Sequence, residues 1–216
     1  MNHEAHETKA LLLDTAEKMF GDLGFDGVGL RALAEEADLN LGAVTYHFGS
    51  KANLYTETFL RRFRTANRER FRLLGEAEER SAGEALPLEV ILECFLWPPL
   101  EITGQHPSFF RLMLRNLVTP PPFMEDRMCQ EMKPVIERFL PSLSASLPRL
   151  SGEEIMTRFR FCGGALLVSA GNLFGPEPKL DQVRSTEERR ETLANLISFC
   201  AAGLRGSPVT LSLPQS

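Results

Sequence analysis

The chain has 216 residues, 43% of them hydrophobic and 25% charged, and a formal net charge of −5 at neutral pH, a composition ordinary for a soluble protein able to bury a substantial core. Its longest uncharged run, residues 161–176, is broken by Gly, Ser, Asn and Pro and falls short of the roughly 18 to 20 residues that a membrane span requires. Cys94, Cys129, Cys162 and Cys200 are widely spaced with no C-x-x-C pair, which suggests neither a zinc ribbon nor a disulfide framework and predicts reduced, mostly buried thiols.

The N-terminus, MNHEAHETKA, lacks the basic and apolar regions of a signal peptide, so a cytoplasmic protein is expected. A first helix is predicted over residues 8–23, where Leu12, Leu13, Ala16, Met19, Phe20 and Leu23 recur on one face. Gly21, Gly24, Gly27 and Gly29 punctuate the loop beyond it, with Phe25 and Val28 able to turn into the core. Leu30, Leu33, Ala34 and Ala37 then mark one face of a short second helix, and Ala34 suits a close helix crossing. Residues 38–41 are too short and polar for anything but a turn. In the helix that follows, Val44 and Phe48 lie four apart and face inward, leaving small, hydroxylic or flat residues outside. This is the layout of a helix-turn-helix, whose second helix enters the major groove with its N-terminal residues at base edges.

Ser50 is placed to cap a long helix starting at Lys51 and running toward Arg80. Residues 1–51 carry four basic against nine acidic residues, whereas residues 52–72 carry six arginines against two glutamates. The positive field is therefore expected mainly on the long helix, and general attraction to phosphate should be modest.

Beyond residue 83 the pattern is helix after helix. Val90, Ile91, Cys94, Phe95 and Trp97 form an apolar helix that Pro98-Pro99 is expected to stop. Pro107 opens the next, with Phe109, Phe110, Met113, Leu114 and Leu117 on its face, and Thr119-Pro120-Pro121-Pro122 ends it. A stripe from Met128 to Leu147 should be kinked or interrupted at Pro134 and Pro141. Ser151-x-x-Glu154 and Ser185-x-x-Glu188 match capping boxes that start two late helices. Within the first of these, Cys162-Gly163-Gly164-Ala165 with Ser169, Ala170 and Gly171 presents small residues suited to close packing, either within the chain or against a second copy.

The run Thr45-Tyr46-His47-Phe48-Gly49-Ser50-Lys51 resembles the end of the recognition helix in the TetR family of transcriptional regulators, and the resemblance is strong over residues 8–63. It implies an all-α fold: an N-terminal three-helix DNA-binding head, a long connecting helix, and a larger helical body that binds a ligand and dimerises. The head covers residues 1–51, the start of the connecting helix extends to about 72, the body spans 73–206, and 207–216 form a loose tail. Relatives usually carry Ser or Thr where Gly29 stands and Gly where Asp38 stands; the first difference removes a helix cap, and Asp tolerates left-handed geometry.

The resemblance further implies a repressor that binds a roughly palindromic double-stranded operator and is released by a small molecule. Thr45 and Tyr46 would donate hydroxyls to phosphate and Lys51 a charged contact. Leu41 and Ala43 would pack on thymine methyls, and Gly42 would permit close approach. His47 would reach a base edge or phosphate, and Arg31 phosphate or only water. For Tyr46 and His47 the alternative is bracing the three helices. Homodimerisation is expected through the last two long helices. Candidate effector residues are Phe95, Trp97, Phe109, Phe110, Met113, Phe123 and Met128, which favour an apolar ligand; His106, Arg111 or Arg115 would anchor a carboxylate. No cofactor or membrane partner is expected. His3, His6, His47 and His106 fall in no catalytic motif, which argues against an enzyme. The alternatives are a helical interaction protein that does not bind DNA, consistent with the acidic head, or a thiol-responsive regulator acting through Cys129 beside Arg127 and Lys133.

Overall fold

The computed structural model describes residues 2–171, 173, 180 and 182–207. Phe174 and residues 208–216 of the expected tail lie outside the described residues. Among these residues the chain forms nine helices: α1 (Asn2–Leu23), α2 (Leu30–Glu36), α3 (Leu41–Phe48), α4 (Lys51–Arg80), α5 (Leu88–Gln105), α6 (Pro107–Val118), α7 (Pro122–Ser146), α8 (Gly152–Gly171) and α9 (Thr186–Arg205). Helices α1 to α3 form a head; α5, α6 and α7 pack on α4, α6 also packs on α1, and α8 and α9 pack on α5 and on each other. One continuous hydrophobic core runs through both, from Leu12 and Phe20 to Leu196 and Leu204.

Helix α1 starts earlier than expected, at Asn2. No Gly or Pro separates Asn2 from Thr8, and the Thr8 hydroxyl, instead of capping, bonds back to the Glu4 carbonyl at 2.9 Å. The anticipated caps form at Ser50, which accepts from the Asn53 N–H at 3.1 Å, and in the reciprocal pairs Ser151/Glu154 and Ser185/Glu188.

The main departure is at Pro98-Pro99, which does not stop α5: the helix continues to Gln105 with both prolines buried. A proline in a helix leaves the carbonyl four residues earlier without its N–H donor. For Pro99 that carbonyl belongs to Phe95, and Arg70 of α4 supplies the missing hydrogen bond through Nε at 2.9 Å. Arg70 is 4% exposed. Its guanidinium also donates to Asn67 Oδ1 at 2.8 Å and lies 4.3 Å from the centroid of the Phe95 ring. Burial lowers its pKa to about 9, so it remains charged at neutral pH. Asn67 in turn donates to the Glu131 carbonyl of α7 at 3.1 Å. In α7 the helix likewise continues through Pro134 and Pro141. Both prolines are exposed, as are Gln130 and Glu137 four residues before them, so water can serve the released carbonyls.

The arginines of α4 do not form the free positive stripe that their number suggests. Arg61 and Arg62 both bond the buried Glu17 of α1, at 2.7 and 3.0 Å, and Arg61 also donates to the Leu13 carbonyl at 3.1 Å. Arg64 pairs with Glu131 of α7 at 2.7 Å, and Arg72 with Glu69 and Glu76 on its own helix.

Replacing Arg70 with Met removes the donor to the Phe95 carbonyl while keeping most of the volume. An unsatisfied buried carbonyl costs about 1–3 kcal/mol; urea unfolding of Arg70→Met should show a loss of that size, and a change below about 0.5 kcal/mol would mean that Phe95 is served otherwise.

Candidate nucleic-acid interface

The turn between α2 and α3 forms as the residues dictate. Asp38 adopts φ +53°, the left-handed geometry that Asp tolerates, and Gly29 stands before α2 with no side-chain cap. Val44 and Phe48 are buried against Leu33, Ala34 and the α1 face. One stabilising residue carried no expectation: Asn40 caps α3, its Oδ1 accepting from the Ala43 N–H at 2.9 Å. Its signal was an Asn directly before the first helical residue. A Cβ on Gly42 would stand 2.9 Å from that same Oδ1, so the small residue here also leaves room for the cap.

Burial of Val44 and Phe48 fixes what α3 shows to solvent. Tyr46 is 82% exposed and Leu41 38% exposed, with Gly42 and Thr45 also exposed and Ala43 half-buried. Such exposure rules out a bracing role for Tyr46 in the head. His47 is half-buried, its ring 5.1 Å from Tyr46 and 6.1 Å from Phe48. The Thr45 hydroxyl donates to the Leu41 carbonyl at 3.1 Å, so in this state its proton is engaged within the helix and its lone pairs face outward. Arg31 is exposed on α2.

Two lysines flank this surface, each resting on an aromatic ring. Lys51, in the first turn of α4, has Nζ 4.5 Å from the Phe25 centroid. Lys9 of α1 has Nζ 5.6 Å from the Phe48 ring, a position that depends on how α1 crosses α3 and is not visible in the local sequence.

The seven candidate effector residues are not gathered around one cavity. Phe95 sits in the core with Phe139 and Phe159 at centroid distances of 5.6 and 4.3 Å. Phe109 packs on Phe59, Phe110 lies against Gly171, and Met113 is buried. Phe123 joins Phe25 and Tyr55 where body meets head; Met128 is half-buried on α7. Trp97 lines a groove of about 500 Å³ between α4 and α5, with Leu73, Ala77, Val90 and Cys94. The basic candidates have other duties. Arg115 donates to the Gly21 and Asp22 carbonyls at 2.9 and 2.6 Å, and Arg111 pairs with the Asp22 carboxylate at 2.5 Å, so both hold the C-terminus of α1. Burial, followed by the nearby charge of Arg62, lowers the pKa of His106, leaving it neutral and a weak anchor for an anion. Cys129 is exposed, whereas Cys94, Cys162 and Cys200 are buried.

A short, capped helix offered outward by a three-helix head on a larger helical body defines the helix-turn-helix class of regulators. Two family models cover most of the chain: "Bacterial regulatory proteins, tetR family" matches residues 12–58, and "Tetracyclin repressor-like, C-terminal domain" matches residues 93–203. The chain belongs to the TetR family of transcriptional regulators. No curated protein matches it in sequence. Solved structures share the fold: a TetR-like transcriptional regulator from Rhodococcus sp. RHA1 has a TM-score of 0.63 at 20% identity, over 93% of this chain and 97% of that one. The hemolysin II transcriptional regulator HlyIIR has a TM-score of 0.62 at 17% identity, over 90% and 97%. PfmR from Thermus thermophilus has a TM-score of 0.58 at 18% identity, over 92% and 96%.

Loss of the α3 cap in Asn40→Ala should cost about 1 kcal/mol, measured as a drop in unfolding free energy. The helical content of the folded protein should be unchanged; a variant as stable as the parent would show that the cap contributes nothing.

Proposed function

We propose that the protein is a sequence-specific repressor that binds double-stranded DNA as a homodimer and leaves it when a small molecule binds the body. Such a regulator works in the bacterial cytoplasm. The observation that carries this reading is the outward face of α3, where an aromatic hydroxyl, a glycine and an apolar side chain stand exposed on a capped helix. Helix α3 enters the major groove, where Leu41 and Ala43 meet thymine methyls, Gly42 lets the helix approach, and His47 or Arg31 reaches a base edge or phosphate. Tyr46 and Lys51 hold phosphates, and Thr45 does so after its hydroxyl turns from the Leu41 carbonyl.

Pairing through α8 and α9 is supported by a face that packs on nothing among the described residues. Phe161 and Phe199 are each 69% exposed, and a Cβ on Gly163, Gly164 or Gly203 would meet nothing within 4 Å. Glycine inside a helix costs about 1 kcal/mol relative to Ala, and a second backbone brought close there supplies the reason. Other small residues of the run turn inward: Gly171 is filled by Phe110, and Cys162 and Ala170 are buried. The head makes up residues 1–51, and the body, residues 73–206, holds the effector; the dispersed aromatic residues require it to open a space between them. A thiol response through Cys129 has its exposure and its basic sequence neighbours Arg127 and Lys133 in its favour.

Selection from random duplexes should enrich a two-fold symmetric site, and no enriched sequence would sink the DNA reading. Because Arg61, Arg62, Arg64 and Arg72 are paired with carboxylates and Arg70 is enclosed, affinity should fall only shallowly with salt, a slope of about −0.9 for each phosphate contacted. Tyr46→Phe and Lys51→Ala should weaken binding to all sequences alike, by about 3- to 10-fold each; unchanged affinity in both would remove these residues from the interface. Phe161→Glu should turn a dimer into a monomer in sedimentation, and a persistent dimer would place the pairing surface elsewhere.

A further inference from the structure

Helices α8 and α9 run antiparallel with their register fixed at one end by Arg158. Its Nη1 donates to the Leu204 carbonyl at 2.8 Å and the Gly206 carbonyl at 2.6 Å. Cys162 lies one turn beyond Arg158 on α8, and Cys200 one turn before Leu204 on α9. In antiparallel helices those positions face each other, and both cysteines line the same cleft of about 300 Å³ with Arg158, Phe161, Phe199 and Gly203. The two side chains are 4% and 2% exposed, and the Cys162 thiol donates to the Arg158 carbonyl at 3.6 Å.

We propose that Cys162 and Cys200 form a modification site, a dithiol that a peroxide converts to a disulfide joining α8 to α9 within one protomer. The Cys200 thiolate attacks one peroxide oxygen; the O–O bond breaks, leaving a sulfenic acid on Cys200 and releasing water once a proton is taken up. Sulfur of Cys162 then attacks the sulfenic sulfur, the S–O bond breaks, and a second water leaves with the Cys162 proton. Two thiols and one hydrogen peroxide become one disulfide and two waters. The order of attack follows from where the Cys162 proton rests, on the Arg158 carbonyl. The closeness of the two thiols, with burial, raises the pKa of Cys162 above the ordinary thiol range and lowers that of Cys200, so Cys200 is the better nucleophile and Cys162 the resolving thiol. Gly203 leaves the rim of the cleft open where a side chain would otherwise stand. This site is independent of the DNA reading and uses different residues from the exposed Cys129.

The test uses the full chain with Cys94→Ser and Cys129→Ser, so that only the pair remains. Native protein is treated with hydrogen peroxide, blocked with an alkylating reagent and weighed. The expected product has lost about 2 Da, the two thiol hydrogens, carries no alkyl group, and regains two alkylatable thiols on reduction. Its melting midpoint should exceed that of the reduced form, because the cross-link constrains the unfolded chain. Peptide mapping of the oxidised chain with all four cysteines present should find the same bridge, which covers the case in which the serine variant folds poorly. The Phe161→Glu variant is treated in parallel, so that a second copy covering the cleft does not hide the reaction. Two alkylated thiols, or separate sulfinic acids, in all three proteins would overturn the proposal.

Discussion

A carboxylate at Glu17 is buried between α1 and α4, and a buried charge must be matched. Arg61 and Arg62 answer it together, and this requirement fixes how the head is mounted. The Arg61 guanidinium reaches the Leu13 carbonyl as well, so α1 can neither slide nor rotate on α4 without uncovering a charge. On the far side of α1, Arg111 and Arg115 of α6 hold its last turn, and Gly21 lets the backbones come so close that a Cβ there would stand 2.6 Å from the Ser108 carbonyl. The first helix is thus held from two sides, by the connecting helix and by the body.

The same arithmetic of charge settles a question about the protein's field. Six arginines in 21 residues suggest a cationic surface, yet Arg61, Arg62 and Arg64 cross to acidic groups of other helices and Arg70 is enclosed. They act as fasteners. The head keeps its acidic balance, and any attraction between it and a polyanion must come from local contacts on α3 and the first turn of α4.

Local structure was legible in the sequence wherever a single helix determines it. The inward pair Val44 and Phe48, the positive φ at Asp38, the cap at Ser50 and both capping boxes depend on residues within a turn of one another. What failed to show depends on partners far along the chain. Pro98-Pro99 looks like a stop until Arg70, 25 residues away from Phe95, supplies the donor that the helix lost. Aromatic residues with identical periodicity went to separate places, Phe123 to the head, Phe95 to the deep core and Trp97 to an outer groove, because hydrophobic spacing says that a side chain is buried and not what it meets. For the candidate interface, the exposed residues of α3 could be named in advance, whereas the resting places of Lys9 and Lys51 could not.

The position of Lys51 ties the head to the body. Its ammonium lies on the ring of Phe25, and Phe25 packs edge-on against Tyr55 and Phe123, the last belonging to α7. A cation on an aromatic face contributes roughly 0.5–1 kcal/mol where water is near. Any anion that draws the lysine away removes that contribution from a ring shared with the body, and any movement of α7 that tilts Phe25 changes how readily the lysine departs. The two events are thermodynamically linked in both directions, so a single ring lets the surface of the head and the interior of the body influence one another without a dedicated relay.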